Sequence, residues 1–125
     1  MGFLNKMFGG DEGIREAMKE TYYKLRQRHP ELKEHEVLAI VLHHRYRALP
    51  AEIALIVSAL FPTIAALTEW VVGLENSGLG RARMTWPNPL FDRYLAATST
   101  LEEREQALDF VENNPSDALK NMLPK

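Results

Sequence analysis

Apolar residues first settle into a helical rhythm at Ile14, Met18, Tyr22 and Leu25, whose spacings of four, four and three place them on one stripe. His29 precedes Pro30, and a proline pushes the residue before it out of helical geometry while suiting the first turn of a new helix. One helix is therefore predicted to end at His29 and a second to run over about residues 31 to 48. This second segment contains the unbroken apolar block Val37 to Leu42, which alone fits a buried strand equally well; its flanks, KEHE and HHRYR, hold no turn residues, and this favours helix. Beyond Pro50, Ile53, Val57, Leu60, Ile64, Leu67, Val71 and Leu74 are spaced four and three in strict alternation, an uninterrupted heptad seam. Pro62 falls off that seam, on the side of Ala59, Ala66, Glu69 and Gly73, where a bend convex toward solvent is tolerated. The pattern thus predicts one kinked apolar helix over about residues 50 to 75.

Residues 76 to 88 carry Gly78, Gly80 and Pro87 without periodicity and read as the one sizeable internal loop. Asn88 then caps a short helix behind Pro89. Ser99 or Thr100 opens another, each with a glutamate three residues on, Glu102 or Glu103, in capping-box spacing, and this helix is expected to end near Asn113. Asn114 and Pro115 repeat the cap-then-proline signal for a last short helix burying Leu119, Met122 and Leu123. No stretch alternates as strands require. The expected fold is all-α, a compact bundle of five to six helices around the kinked helix 50–75, with residues 1–10 a short apolar N-terminal segment and 11–125 a single helical domain.

Composition changes this picture in three ways. The 125 residues make one domain, and their 15 Lys plus Arg against 17 Asp plus Glu leave a net charge of -2, whereas a dedicated nucleic-acid binder usually carries a positive excess. There is no cysteine, which excludes disulfides, cysteine zinc sites, iron-sulfur clusters and thiol nucleophiles and suits a reducing, cytoplasmic setting. The charge-free run from Ile53 to Thr68 is shorter than the roughly 20 residues of a spanning helix, so no transmembrane span is expected. The four apolar residues between Gly2 and Phe8 are too few for a secretory core of about 7 to 15, and Lys6 stands where an N-myristoylation pattern needs Ser or Thr.

Two surfaces attract a functional reading. The seam carries β-branched Val57, Ile64 and Val71 at one heptad position and mostly leucine (Leu60, Leu67, Leu74) at the other, the combination that favours two-stranded packing, with Phe61 and Trp70 alongside. Val57, Phe61, Ile64, Leu67, Trp70 and Val71 are accordingly the candidate interface for a second copy or another protein. The uncharged flanks of the seam fit a central helix wrapped by its own chain as well. The second candidate is a basic patch of His43, His44, Arg45 and Arg47 at one helix end with Arg81, Arg83 and Trp86 in the glycine loop, able to hold a phosphate or stack on a base if the loop folds back. Against it, Arg45 and Arg47 can pair with the acidic C-terminal third.

Catalytic chemistry finds less. Glu31 and His35 share a helical face, but His43 lies about 12 Å further along the axis, too far to share one ion, and no His-Glu-x-x-His occurs. Glu69 within the apolar helix has small neighbours and reads as solvated. No serine sits in a nucleophile motif, and Gly78-Leu79-Gly80 lacks the lysine of a phosphate cradle. No catalytic residue, metal site or cofactor is assigned. The expectation is a small soluble helical protein that acts by protein association as a homodimer; the alternative is a binder of phosphate-bearing ligands or nucleic acid through the basic patch.

Overall fold

The first helix, α1 (Gly10–Arg28), begins with Asp11 and Glu12 and ends with Arg26 and Arg28, an order of charge that complements its dipole. In the computed structural model, which describes residues 10 to 80, 83 to 117 and 119, it is followed by α2 (Glu34–Arg45), α3 (Ala51–Leu60), α4 (Ile64–Asn76), α5 (Pro89–Thr98) and α6 (Leu101–Asn113). Among the described residues there is no strand. The N-terminal apolar segment, Arg81, Met122 and Leu123 lie outside them.

The centre of the molecule is α2. Every residue from Glu36 to His43 is buried, so the apolar block Val37 to Leu42 belongs to a helix covered on all sides, which explains why it shows no polar face. The helix starts later than the sequence predicts, because the chain after Pro30 first makes a turn closed by the Leu32 amide on the His29 carbonyl at 3.1 Å. Glu36 then reaches back to accept the Lys33 amide at 2.9 Å and closes the N-terminus.

The predicted single kinked helix over 50–75 is instead two helices, α3 and α4, whose axes meet at 113° across Phe61, Pro62 and Thr63. Two local effects add up here. Proline has no amide hydrogen and forces Phe61 out of helical geometry (φ -124°, ψ 78°), and Thr63 starts afresh as an N-cap, its hydroxyl accepting the Ala66 amide at 3.0 Å. The corner lets α3 pack on α2 and α6 while α4 packs on α1. No single helix is long and apolar enough to cross a membrane; α3 and α4 together reach that length and composition only with their sharp bend.

Two ties hold α1 on α4: the Arg15 guanidinium donates to both Glu69 oxygens at 2.8 and 3.0 Å, and Asn76 donates to Asp11 at 3.1 Å. Glu69 is exposed, and Arg15 holds its carboxyl below the usual range. An aromatic cluster fixes α5: Trp70 stacks on Phe61 at 5.3 Å, meets Phe91 edge-on at 5.6 Å, and donates its indole N–H to Thr98 at 2.8 Å. The caps follow the sequence at Asn88, which accepts the Leu90 and Phe91 amides, and at Thr100, which exchanges hydrogen bonds with Glu103. The last turn differs. Asn114 closes the end of α6, donating to the Phe110 carbonyl at 2.8 Å, and Ser116 is the residue that caps the turn carrying buried Leu119. Ser116 also donates to Glu36, which joins this end of the chain to the start of α2.

Candidate functional site

A furrow runs between α1 and the C-terminal end of α2. Its α1 wall is a second stripe of that helix, Ala17, Thr21, Lys24 and Arg28, spaced four, three and four. The small Ala17 and Thr21 make the recess, and Thr21 turns its hydroxyl back onto the Ala17 carbonyl at 3.0 Å. The opposite wall comes from His44 and Arg45 in the last turn of α2 and from Arg47 just beyond it. Two cavities of about 360 and 410 Å³ share Ala17, Thr21 and His44 and so lie side by side along the furrow. Met84, buried in the loop between α4 and α5, closes one end, and Arg28 marks the other.

The charges along this furrow are mostly positive. Lys24, Arg28, Arg45 and Arg47 line it against the single carboxylate Glu20, which Lys24 engages at 2.8 Å. That contact holds the Glu20 carboxyl below its ordinary range. Arg28 and Arg47 are exposed, and neither has an ion-pair partner among the described residues.

Arg45 behaves differently from its neighbours. Its side chain is 10% exposed and donates to both oxygens of Glu75, itself 12% exposed, at 2.5 and 2.8 Å. The fully buried Tyr46 donates to the same carboxylate at 2.5 Å. Burial favours the uncharged form of Arg45, yet Glu75 outweighs it and the guanidinium stays protonated; burial, then the hydrogen bond to Glu75 and its charge, push the Tyr46 hydroxyl well above the usual tyrosine range. The triad welds the end of α2 to the end of α4, and its arginine contributes structure more than free charge. Arg45 pairs with Glu75 of α4 and not with the acidic C-terminal third.

The basic patch read from the sequence therefore divides. His44, Arg45 and Arg47 line the furrow, and Arg83 is exposed beside Met84, which lines it too. His43 faces the core: one residue along a helix is a rotation of about 100°, and its Nδ1–H donates to the Leu49 carbonyl at 2.9 Å, with Nε2 buried and unpartnered. Trp86 is half-buried and packs edge-on against Phe91 at 5.6 Å, as part of the aromatic cluster. Arg81 lies outside the described residues. Sequence reasoning missed Lys24 and Arg28, although their spacing from Ala17 and Thr21 carried the signal, because only the apolar stripe of α1 was followed.

The candidate interface is covered by the chain itself. Val57, Leu67 and Val71 have no exposed surface and Trp70 is 5% exposed; Phe61 and Ile64 are half-buried against the same core. Of the six, Phe61 and Ile64 are the ones that keep an appreciable part of their surface exposed. Among the described residues, no group of three or more His, Asp or Glu side chains has the geometry to hold a metal ion. No protein-family model, curated protein or solved structure matches the chain.

Proposed function

We propose that this protein is a small helical binding module that holds a polyanionic, phosphate-bearing partner along the furrow between α1 and α2. The observation that carries this reading is adjacency: two cavities with common walls at Ala17, Thr21 and His44 carry Arg45 and Arg47 beside Met84 in one and Lys24 and Arg28 in the other. Guanidinium groups present planar forks of N–H donors that match phosphate oxygens, and a row of them suits a chain of charges better than a single anion. The net charge of -2 is no obstacle, because recognition follows the local field of a concave surface and not the total.

The test is a fluorescence titration with a short single-stranded oligonucleotide and with a soluble polyphosphate, at low salt and over a salt series. Neutralising about three phosphates with Lys24, Arg28 and Arg47 gives an expected slope of log affinity against log salt of roughly -2 for a single strand. Arg28→Ala with Arg47→Ala should weaken binding and make the slope shallower by roughly 1 to 1.5. No binding at low salt, or binding that the double variant leaves unchanged, overturns the proposal. Self-association through the seam would require side chains that are covered in the protomer, so the expected solution mass is that of a monomer; a dimer that Leu67→Glu dissociates into folded monomers would restore the seam as the functional surface.

A further inference from the structure

A second cleft, separate from the furrow, lies where the start of α2, the end of α3 and the outer part of α6 converge. Its volume is about 420 Å³. Sites for small molecules usually occupy about 300 to 1,000 Å³, with apolar walls and a few polar groups, and this cleft has that character. Two helices in contact, α3 and α6, contribute the small side chains Ala59 and Ala107 to its lining, together with the larger Leu60, Pro62 and Phe110. Phe110 is 42% exposed, an uncommon position for a phenylalanine, and stands edge-on to His35 at 5.0 Å.

Its polar lining combines two carboxylates and an imidazole with the neutral Ser58 and Gln106. Glu34, Glu103 and His35 line the cleft, and neither Lys nor Arg does. The Glu34 carboxylate is shared by the Tyr22 hydroxyl and Arg26. Glu103 accepts the Thr100 amide through Oε1 at 2.8 Å. Nε2 of His35 is buried and has no hydrogen-bond partner. Burial holds the His35 imidazole below its ordinary range, against the opposing pull of Glu36 and of a backbone hydrogen bond with Asn114. A neutral imidazole keeps one nitrogen with a lone pair, and Nε2 is the buried ring nitrogen left without a partner. The ring packed edge-on against this imidazole, Phe110, is exposed, and exposed side chains change rotamer rapidly.

We infer that this cleft binds a small amphipathic amine: an apolar, preferably aromatic, body seated between Ala59, Ala107 and Phe110, with a protonated amino group donating toward Glu103 and His35. The occupant follows from charge complementarity. Glu103, a carboxylate with no ion-pair partner among the described residues, and the unpartnered imidazole nitrogen of His35 favour an N–H donor over a carboxylate or phosphate. No cation is among the lining residues, and the charge of Glu34 is already met by Arg26; this is the reverse of the furrow's preference.

The probes are phenethylamine, phenethyl alcohol and phenylacetate, three molecules of nearly one shape that differ in charge. Each is titrated to millimolar concentration while amide shifts are followed by two-dimensional NMR. The amine should shift the amides of residues around Ala59, Ala107 and Phe110 saturably, the alcohol more weakly, and phenylacetate not at all. Glu103→Gln keeps a residue able to complete the capping box and removes the charge, so it should weaken the amine about two- to fivefold with α6 intact. Ala59→Leu, which fills the cleft, should abolish binding in a protein whose remaining spectrum is unchanged. Binding of phenylacetate as tight as the amine, amine binding that survives Ala59→Leu, or no shift from any probe overturns the inference.

Discussion

Replacing Glu75 by alanine is the sharpest test of how the molecule is held together. The substitution leaves the Arg45 guanidinium, 10% exposed, and the fully buried Tyr46 hydroxyl without their common partner. An arginine cannot shed its proton to escape, so the protein must either bury a lone charge or open to hydrate it. Removing one partner of a buried pair typically costs about 3 to 5 kcal/mol, and the orphaned tyrosine adds about 1 to 3 kcal/mol where water cannot reach it. Partial access of water at the furrow side of Arg45 discounts the sum, and about 3 to 4 kcal/mol is expected. Against the 5 to 15 kcal/mol typical of whole domains, that is a large share. Urea denaturation followed by circular dichroism measures it directly. The triple change Arg45→Met, Glu75→Met and Tyr46→Phe, which removes every polar member together, should recover most of the loss, since a buried ion pair is often no more stabilising than an apolar replacement. A loss below about 1 kcal/mol for Glu75→Ala would refute the reasoning, because it would mean that the pair behaves as a solvated surface contact. The same variant probes function: an unpaired Arg45 on the furrow wall adds a cation, and if Glu75→Ala stays folded its affinity for the oligonucleotide should rise.

Three further outcomes are expected. Leu67→Glu puts a carboxylate at a position with no exposed surface, and the protein should unfold in far-ultraviolet circular dichroism without passing through a folded state of altered mass. Thr63→Ala removes the cap at the α3–α4 corner and should cost about 1 kcal/mol in urea denaturation, whereas Thr63→Ser should be nearly neutral; equal effects would deny the cap its role. Stability should fall as pH rises past about 10, because the unfolded Tyr46 then loses a proton that the folded one, its pKa raised, retains. Tyr46→Phe should flatten that alkaline decline when unfolding free energies at pH 7 and pH 11 are compared, and an unchanged decline would point to other groups.

Much of the fold was legible because helix signals are local. The Asn88-Pro89 start, the Thr100 and Glu103 box and the end at Asn113 each depend on residues within one turn of one another. The heptad seam misled for a specific reason. Its residues keep four-three spacing straight through the α3–α4 corner because both helices need inward-facing side chains at those positions, and a periodicity records which side is apolar while saying nothing of the chain's direction. Thr63 held the missing information, a cap residue immediately after Pro62. The pair His43 and His44 shows the resolution limit on the site: adjacent in sequence, one faces the core and the other the furrow, and only the position of Leu49 and α1 decides which. The furrow itself joins residues 17 to 28, 44 to 47 and 84, so no local window contains it.

The near balance of charge, which from sequence argued against a polyanion partner, is an average over two unlike faces. Lys24, Arg28 and Arg47 gather on the furrow, while Glu34, paired with Arg26, and Glu103 line the second cleft, whose lining includes no lysine or arginine. The separation has a simple origin. Cations favour helix C-termini, and Arg28 and Arg45 on the furrow stand in the last turns of α1 and α2; acids favour N-termini, and Glu34 and Glu103 on the cleft stand in the first turns of α2 and α6. The charges that help each helix end are thereby collected, by the way the helices pack, into two surfaces of opposite preference. At a Debye length of about 8 Å in physiological salt, each surface acts through its own local field and not through the sum of -2. A titration at the furrow and one at the cleft should then be independent, and raising salt should weaken the oligonucleotide far more steeply than the singly charged amine.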